Sequence, residues 1–516
     1  MKKITSFLLL FSFFFLYPCL SNAQYDYLII TPDIFLKDAT WDEELIVLQN
    51  LRGFHPVIES INELTTADEI KNLILTYYNN HPLRYILLMG NGISFIETED
   101  SVEVITFATD YLNKNYIPFY FLKSNNPWHE VGYCYAASDD PYTADLSGHG
   151  SVYVGRVPVE SVEEANIYVD KLYSYYQSLS THTEQGTREI LLNLDITRTC
   201  CTGELVRYIS NKLKTEYIPD NISVTELNAS EHNYCAPEWL SWHYCPERKE
   251  IFEDELNKGV SLITILGTSG GPHSFGGWYW STNKRGDLPF PELELKLTNK
   301  YTRMPFLIAT NNQQGDVGNK KYECTMRKLL LHNNGGIIGA IAPTHETEQH
   351  VNGFVLYTFH DLLYKDDKLN YGEIFDVLKK ELSIEHGWAE FYHNGLTYFG
   401  DPSLNPSLYS NTKSNYTLDD YILLGNYPNP FNPSTTIGYI LRYKSSVELI
   451  IYDIIGAEIK SFVIPAQESG YQKIFWDGRN QNGNLVSSGI YLYRINIKSL
   501  ENNQTFIKTS KMVLLK

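Results

Sequence analysis

The sequence predicts an α/β region built on a mainly parallel sheet, followed by a small β-sandwich at the carboxyl end. Apolar strand-like runs alternate with amphipathic helical stretches from Tyr25 to Leu404, which is the pattern of a doubly wound sheet. After Asn426 apolar residues recur at every second position between short turns, which is typical of a sandwich. With 43% hydrophobic residues among 516, the chain is long enough for about three domains with sizeable cores.

The first 23 residues have the three parts of a secretory signal peptide. Lys2 and Lys3 precede the apolar run Phe7–Leu16, and Ser21–Ala23 supplies small residues for cleavage. A membrane anchor is the alternative, but the run is shorter than the ~20 residues that a helix needs to span a bilayer. We therefore expect residues 1–23 to be removed and the mature chain to have no membrane span.

The charge balance is strongly acidic. The formal net charge is −19, and removal of the two signal-peptide lysines would make it −21. A surface of this sign disfavours nucleic acid and anionic membranes as partners.

Six cysteines remain after the signal: Cys134, Cys200, Cys201, Cys235, Cys245 and Cys324. In an exported chain some cysteines are expected to pair, and Cys235 with Cys245 is the favoured local loop. His232 and His243 interleave with these two cysteines, so zinc is an alternative, although the spacing fits no common zinc finger. Unpaired structural thiols are the third interpretation.

The first α/β unit extends over residues 24–180. Strands are expected at Tyr25–Ile30, Pro56–Glu59, Arg84–Met89 and Val152–Val159, and helices at Asp42–Arg52, Ala67–Tyr78 and Ser161–Leu179. The last of these helices has Ser161 as its expected cap and Glu163 and Glu164 in its first turn. Lys171, further along, also suits the helix dipole.

The second α/β unit covers residues 187–407 and begins after the polar link Ser180–Thr187. Its expected strands are Glu189–Leu194, Val260–Leu266, Phe306–Ala309 and Ile337–Ala342. Its expected helices are Glu204–Leu213, Glu247–Asn257 and a helix near Tyr322–His332. Alternation of this kind predicts a second group of parallel strands.

Several buried strands end abruptly in glycine-containing loops. Val260–Leu266 ends in Gly267–Gly271, and Phe306–Ala309 breaks into polar amides before Gly315. In the first unit, Arg84–Met89 ends in Gly90–Gly92. Open α/β sheets place their chemistry in loops at the carboxyl ends of strands, so these ends are the first candidates for a functional site.

The ends at Gly267 and Ala309 resemble the two catalytic strand ends of the gingipain family of cysteine peptidases, which has the caspase-like fold. In that family the first end reads Gly-His-Gly and supplies the base, and the second reads Pro-Phe-x-x-x-x-x-Cys-x-x-Gly-Asp and supplies the nucleophile. Four residues stand in register with the second motif: Pro305, Phe306, Gly315 and Asp316. The cysteine position holds Asn312 and the histidine position holds Thr268.

The resemblance covers residues 24–407. The segments similar to the family's amino-terminal subdomain, and then to its exit, are Ser138–Tyr142, Val154–Val159, Glu163–Ala165, Asp170–Leu172 and Gly400–Leu404. The resemblance implies a cysteine endopeptidase fold whose reactive pair has been replaced. An amide is not a nucleophile and a threonine hydroxyl is not a base, so the expected function is binding of peptides or proteins without cleavage.

Other residues could replace the missing pair. His273 lies in the loop that follows Gly267, with Ser269 as its nearest hydroxyl, and Cys324 precedes the next helix. His345 follows a core strand and could line the same cleft, although a solvated loop histidine is the preferred interpretation. His149, in a Ser-Gly-His-Gly-Ser stretch, imitates the family's base motif but lies in the wrong subdomain, so a turn histidine is the preferred interpretation.

Loop acids offer a site for calcium, while no other cofactor is expected. Asp139, Asp140 and Asp316 are the candidate ligands, because calcium prefers carboxylate oxygens. Isolated loop acids are more commonly solvated, so calcium is an open alternative to a cofactor-free protein.

The carboxyl-terminal segment, residues 426–516, follows a polar linker at 408–425. Its motifs are Asn426–Pro433 (NYPNPFNP), Trp476–Gly478, Ser488–Tyr491 and Lys511–Met512. They resemble the type A sorting domain of type IX secretion cargo. The resemblance implies export across the inner and outer membranes, the type IX machinery as a partner, and a secreted or cell-surface location. An ordinary Ig-like binding module is the alternative.

Three functional hypotheses follow. The first is a pseudo-peptidase that binds peptides or proteins through a retained cleft. The second is a working endopeptidase that uses displaced residues such as His273 with Cys324 or Ser269. The third is a surface spacer that uses the fold only structurally.

Overall fold

A computed structural model gives the architecture of the chain. It describes residues 24–37, 39–62, 65–92, 116–125, 133–144, 146, 151–181, 188–194, 202–228, 246–267, 296–299, 304–310, 315, 317, 324–345, 347, 349–365, 369–385, 395–406, 421–427, 429–441, 443–467, 470–501 and 504–515. The predicted signal peptide and the 408–420 part of the linker lie outside these ranges.

The first half of the α/β region has the predicted alternation. Its elements are β1 (Tyr27–Pro32), α1 (Trp41–Leu51), β2 (Pro56–Ile61), α2 (Ala67–Asn80), β3 (Tyr85–Met89), β4 (Tyr120–Asn125), β5 (Tyr133–Ser138), β6 (Tyr153–Val157) and α3 (Val162–Thr181). Short 3-10 turns follow β1 and β5, at Asp33–Phe35 and Asp140–Tyr142. The ribbon formed by β4 and β5 was not predicted.

The second half continues the alternation. Its elements are β7 (Arg188–Leu194), α4 (Thr202–Lys212) with a π-helical turn at Leu213–Tyr217, β8 (Ser223–Asn228), α5 (Pro246–Asn257), β9 (Leu262–Gly267), β10 (Phe306–Ala309), α6 (Thr325–Leu330), β11 (Gly339–Pro343), α7 (Gln349–Lys365), α8 (Tyr371–Glu385) and β12 (Leu396–Phe399). The predicted strands at β7, β9, β10 and β11 are confirmed. No strand or helix was predicted from the sequence at β8, α7, α8 or β12.

Both halves share one ten-stranded sheet with the order β2-β1-β3-β6-β12-β11-β10-β9-β7-β8. The pairings among β2, β1, β3 and β6 are parallel, as are those among β11, β10, β9, β7 and β8. β12 joins the halves, because it runs antiparallel to β11 and meets β6 at the pair Phe399 and Arg156. The predicted fold class is therefore confirmed, and the two predicted units are built on one continuous sheet.

Polar contacts place the carboxyl ends of strands from both halves at one edge of the sheet. Asn91, after β3, donates to the Val317 carbonyl after β10 at 3.0 Å. Thr344, after β11, donates to the Ala137 carbonyl in β5 at 2.8 Å. The chain therefore brings the predicted catalytic-type strand ends and the first half's glycine loop to the same side.

Helix α3 shows where local sequence signals were right and where they failed. Ser161 caps it as predicted, since its hydroxyl accepts from the Glu164 backbone N–H at 3.2 Å. Lys171 was expected to interact with the helix dipole, and that interpretation is wrong. Its ammonium is fully buried and donates to the carbonyls of Leu329, Leu330 and Ile337 at 2.8–3.0 Å, because α3 packs against the end of α6.

At the opposite, amino-terminal edge, Asp401 forms a buried hydrogen-bonded centre. The Asp401 carboxylate is 0% exposed and accepts from Tyr27 Oη at 2.7 Å, Gln49 Nε2 at 2.8 Å and Arg52 Nη1 at 3.0 Å. The Ser403 hydroxyl and backbone N–H complete its shell at 2.6 and 2.9 Å. Burial and then the Asp401 charge raise the pKa of Tyr27 well above its usual value, so the phenol stays a donor.

The carboxyl-terminal segment folds as the predicted antiparallel β-sandwich. Its strands are β13 (Tyr421–Tyr427), β14 (Thr435–Leu441), β15 (Ser445–Tyr452), β16 (Glu458–Gln467), β17 (Gly470–Trp476), β18 (Gly489–Ser499) and β19 (Thr505–Leu514). They form the sheets β13-β14-β17 and β16-β15-β18-β19. β15 alternates buried and half-buried residues along its whole length, which is the period-2 pattern that predicted a sandwich.

In the parts of the chain that the structure describes, no helix has the length and apolar character needed to cross a bilayer.

We expect Asp401→Ala to lower the free energy of unfolding by about 3–5 kcal/mol, because it removes the acceptor of the buried Tyr27 hydroxyl and Gln49 amide and the counter-charge of Arg52. Urea unfolding followed by circular dichroism measures the change. Asp376→Ala is the matched control: its surface ion pair with Lys380, at 2.6 Å, is expected to contribute less than about 1 kcal/mol. Equal losses in both variants would contradict the role given to Asp401.

Candidate functional site

The two strand ends singled out from the sequence are neighbours in the sheet. β9 and β10 pair in parallel, with Phe306 opposite Leu262 and Ala309 opposite Ile265. All residues of both strands are buried. Buried parallel strands give side chains at their tips a rigid support, so this edge can hold a preformed cleft.

Side-chain hydrogen bonds fix both tips. Thr310 donates to the Ile265 carbonyl through its backbone N–H and its hydroxyl, each at 3.1 Å. The Thr347 hydroxyl donates to the Thr310 carbonyl at 2.7 Å. Asn352, on α7, donates to the carbonyl of Gly267 at 3.2 Å and is 1% exposed. The backbone immediately before positions 268 and 311 is therefore held in one geometry.

The loop after β10 is anchored on the neighbouring strand. The Gly315 backbone N–H donates to the Pro343 carbonyl at 2.7 Å. A Cβ at Gly315 would lie 2.9 Å from both the Ala342 carbonyl oxygen and the Phe399 ring. Such distances require a shift of backbone or a core ring, so glycine is needed at this position of the motif.

Most of the predicted site residues lie outside the described residues. These are Thr268, Ser269, His273, Asn312, Asp316 and His149. The structure therefore fixes the ends of the backbone that carry them, and their roles stay predictions.

Cys324 lies in the described part of the chain, away from solvent. It occupies the cap position of α6, carries a thiol, and is 1% exposed within the main apolar core. Thiols buried in apolar surroundings are poor nucleophiles, since burial disfavours the thiolate. The position of Cys324 thus gives no support to its use as a substitute nucleophile.

His345 was expected to be a solvated loop histidine, and that interpretation is wrong. The residue is 4% exposed and is the second residue after β11, at the carboxyl edge. Its ring packs on Gly395, where a Cβ would lie 2.3 Å from the ring Cε1. Its place just beyond a buried strand, noted from the sequence, agrees with this position at the same edge as the other strand ends.

The acids proposed for calcium bind basic side chains. Asp139 is 4% exposed and accepts from the fully buried Arg156 at 2.9 Å, and Asp140 accepts from Lys379 at 2.6 Å. Burial raises the pKa of Asp139, with Arg156 opposing it, and burial lowers the pKa of Lys379, with Asp140 opposing it. Among the described residues no cluster of three metal-ligating side chains occurs. Asp316 lies outside them.

The cysteine pairings stay predictions for the same reason. Cys200, Cys201, Cys235 and Cys245 lie outside the described residues, as do His232 and His243. The backbone of Cys134 lies in β5, opposite Ser124.

Comparison with known proteins gives matches for both parts of the chain. A family model described as peptidase family C25 matches residues 20–407, and one described as a FlgD Ig-like domain matches residues 434–501. No curated protein sequence matches the chain.

Two solved structures are similar over most of the chain. The complex of Porphyromonas gingivalis RgpB pro- and mature domains is 16% identical, with a TM-score of 0.52, over 95% of this chain and 100% of that one. The Arg-specific cysteine proteinase gingipain R (RgpB) is 15% identical, with a TM-score of 0.51, over 97% of this chain and 100% of that one. At these identities the similarity shows the fold alone.

We expect Gly395→Ala to destabilise the protein by about 1–3 kcal/mol, because the added methyl group overlaps the buried His345 ring. Thermal unfolding measures the loss. Gly489→Ala is the control, since a Cβ there meets nothing within 4 Å. The same Gly395 change should cost less in a His345→Ala background, and an undiminished cost would show that the ring is not the obstacle.

Proposed function

We propose that this chain, which belongs to peptidase family C25, is an exported pseudo-peptidase that binds peptide or protein segments without cleaving them. The observation that carries the proposal is the pair of residues at the family's catalytic positions, Asn312 and Thr268. The surrounding motif residues Pro305, Phe306 and Gly315 are retained.

Neither replacement can perform the lost chemistry. A cysteine peptidase needs a thiolate to attack the scissile carbonyl and an imidazole to carry the proton to the leaving amine. The Asn312 amide offers no nucleophile, and the Thr268 hydroxyl does not accept a second proton. Members of such a pair act as a unit, so loss of both leaves only binding and any backbone donors near the strand tips.

Retention of the supporting structure favours a binding role over a spacer role. The backbone next to positions 268 and 311 is fixed by Asn352, Thr310 and Thr347, and Gly315 is packed where only glycine fits. A domain used only as a spacer has no physical need for a preorganised edge of this kind. We infer that the cleft itself is the functional feature that remains.

The alternative is an active endopeptidase that uses displaced residues, such as His273 with Ser269 or Cys324. The burial of Cys324 in the core speaks against its use in an open cleft. A Ser269–His273 pair stays the form of this alternative that the assay below tests.

We expect the unmodified mature chain to bind members of a broad peptide library without hydrolysing them. Installing the family pair, as Asn312→Cys with Thr268→His, is expected to raise peptide hydrolysis by about 10²–10⁴-fold over the unmodified chain. Each single substitution should give much less, because the pair acts as a unit. Fluorescence polarisation measures binding, and release of a quenched fluorophore measures cleavage.

Two outcomes would sink the proposal. Cleavage by the unmodified chain that His273→Ala abolishes would establish the active alternative. A folded chain that neither binds any library member nor gains activity on installing the pair would favour the spacer hypothesis.

We further propose that the carboxyl-terminal sandwich directs export through the type IX secretion machinery. The opening motif is built into the domain: Phe431 is 2% exposed, and its ring lies 5.5 Å from that of Trp476. The Phe431 backbone donates to the Val513 carbonyl and accepts from Leu515, each at 2.9 Å. This packing supports the view that the motif and the last strand form one recognition unit. Under this proposal the mature protein is located outside the cell.

Removal of residues 426–516 is expected to leave a folded α/β domain in the periplasm, because the sandwich has its own core. Cell fractionation and immunoblotting in a type IX-competent host check the location. Export of the shortened chain to the medium or cell surface would refute this assignment, and unchanged export in a host lacking the type IX machinery would refute it independently.

A further inference from the structure

The turn after β3, Gly90-Asn91-Gly92, connects the first half of the sheet with the loop that follows β10. Asn91 is 5% exposed at the carboxyl edge. Its Nδ2 donates to the Val317 carbonyl at 3.0 Å and to Glu160 Oε1 at 2.5 Å. Val317 lies five residues after position 312 and one after position 316, so this bond reaches the segment that carries the family's catalytic motif.

The hydrogen-bonding groups of Asn91 are all engaged. Its Oδ1 accepts from the Gly92 backbone N–H at 2.9 Å. Its backbone N–H donates to the Val159 carbonyl at 2.8 Å, and its carbonyl accepts from Tyr116 and Ile117, each at 3.1 Å. A side chain held at both ends of its amide cannot rotate, so it presents its N–H groups to Val317 and Glu160 in one orientation.

The glycines on either side of Asn91 allow the turn to lie close to Ile117. A Cβ at Gly92 would lie 2.4 Å from the Ile117 carbonyl oxygen, and one at Gly90 would lie 2.8 Å from the Ile117 side chain. Larger residues would push the turn away from its neighbours. The two glycines therefore allow the turn that carries Asn91 to pack against Ile117.

A second attachment crosses between the halves further along the chain. The Arg327 Nε donates to the Pro158 carbonyl at 2.9 Å, and its Nη2 binds the Glu164 carboxylate at 2.7 and 2.8 Å. On the other side of position 316, Gly315 is bound to Pro343 of its own half. The chain around position 316 is thus held by the second half at Gly315 and by the first half at Val317.

We infer that Asn91 is a positioning residue that holds Val317, in the loop after β10, from the first half of the molecule. The inference rests on the proposed function in that the loop it positions belongs to the proposed cleft. Through this contact the first half of the sheet supports the segment that follows β10 in the second half.

Substitution of Asn91 by aspartate tests the role of its side-chain amide. Asn91→Asp keeps the shape and the acceptor for the Gly92 N–H, but it removes the donors to Val317 and Glu160 and sets two carboxylates against each other. The double variant Asn91→Asp/Glu160→Gln removes that repulsion, because the glutamine amide can donate to the new acid. It does not restore a donor for the Val317 carbonyl.

Hydrogen-exchange mass spectrometry of the full mature chain measures the outcome without any ligand. Peptides covering residues 310–324 are expected to exchange about tenfold faster in both Asn91 variants than in the unmodified chain. Asn50→Asp is the matched control, since the Asn50 amide donates to the Ile46 carbonyl on the exposed face of α1. It should leave these peptides unchanged.

The double variant distinguishes a local positioning role of Asn91 from a general contribution to the stability of the fold. It is expected to melt within a few degrees of the unmodified chain while residues 310–324 still exchange fast. Return of that segment to the unmodified rate in the double variant would overturn the inference, as would an unchanged rate in the single variant. Failure of peptide binding in the library assay would sink the proposed function and leave this exchange result standing.

Discussion

A buried carboxylate at the junction of the two halves holds the amino-terminal edge of the sheet together. Asp401 follows β12, which stands between β6 and β11, and it accepts from Tyr27 at the start of β1 and from Arg52 at the end of α1. A buried carboxylate is stable only when hydrogen-bond donors surround it. Removal of the carboxylate or of its charged partner leaves a buried group uncompensated. The relative placement of the halves therefore depends on this shell being complete.

The two edges of the sheet are stabilised by different groups. The amino-terminal edge contains the Asp401 shell. The carboxyl edge contains the buried pair of Arg156 and Asp139, and also glycine turns, threonine hydroxyls and the amides of Asn91 and Asn352. Those groups fix backbone at the strand tips without supplying a reactive side chain. A family member can lose its nucleophile and base there, as we propose for Asn312 and Thr268, and keep the support for the proposed cleft.

The carboxyl-terminal sandwich has an apolar core separate from that of the α/β sheet. Its core is a separate apolar cluster around Trp476, and its opening motif is anchored by backbone hydrogen bonds to the last strand. A unit with its own core folds independently of its neighbour and can serve as a removable export signal. The proposed cleft and the proposed sorting function thus reside in parts that do not share a core.

The sequence by itself determined the alternation of strands and helices, the strand ends at Gly267 and Ala309, and the sandwich, because periodicity and glycine placement are local properties. It also supplied the substituted motif positions, which are properties of residue identity. Only the tertiary structure decided that Lys171 and His345 are buried, that Asp139 and Asp140 meet basic partners, and that Asn91 reaches Val317. Each depends on groups distant in the chain, and the cost or gain of burying a polar side chain is set by the partner that the fold brings to it.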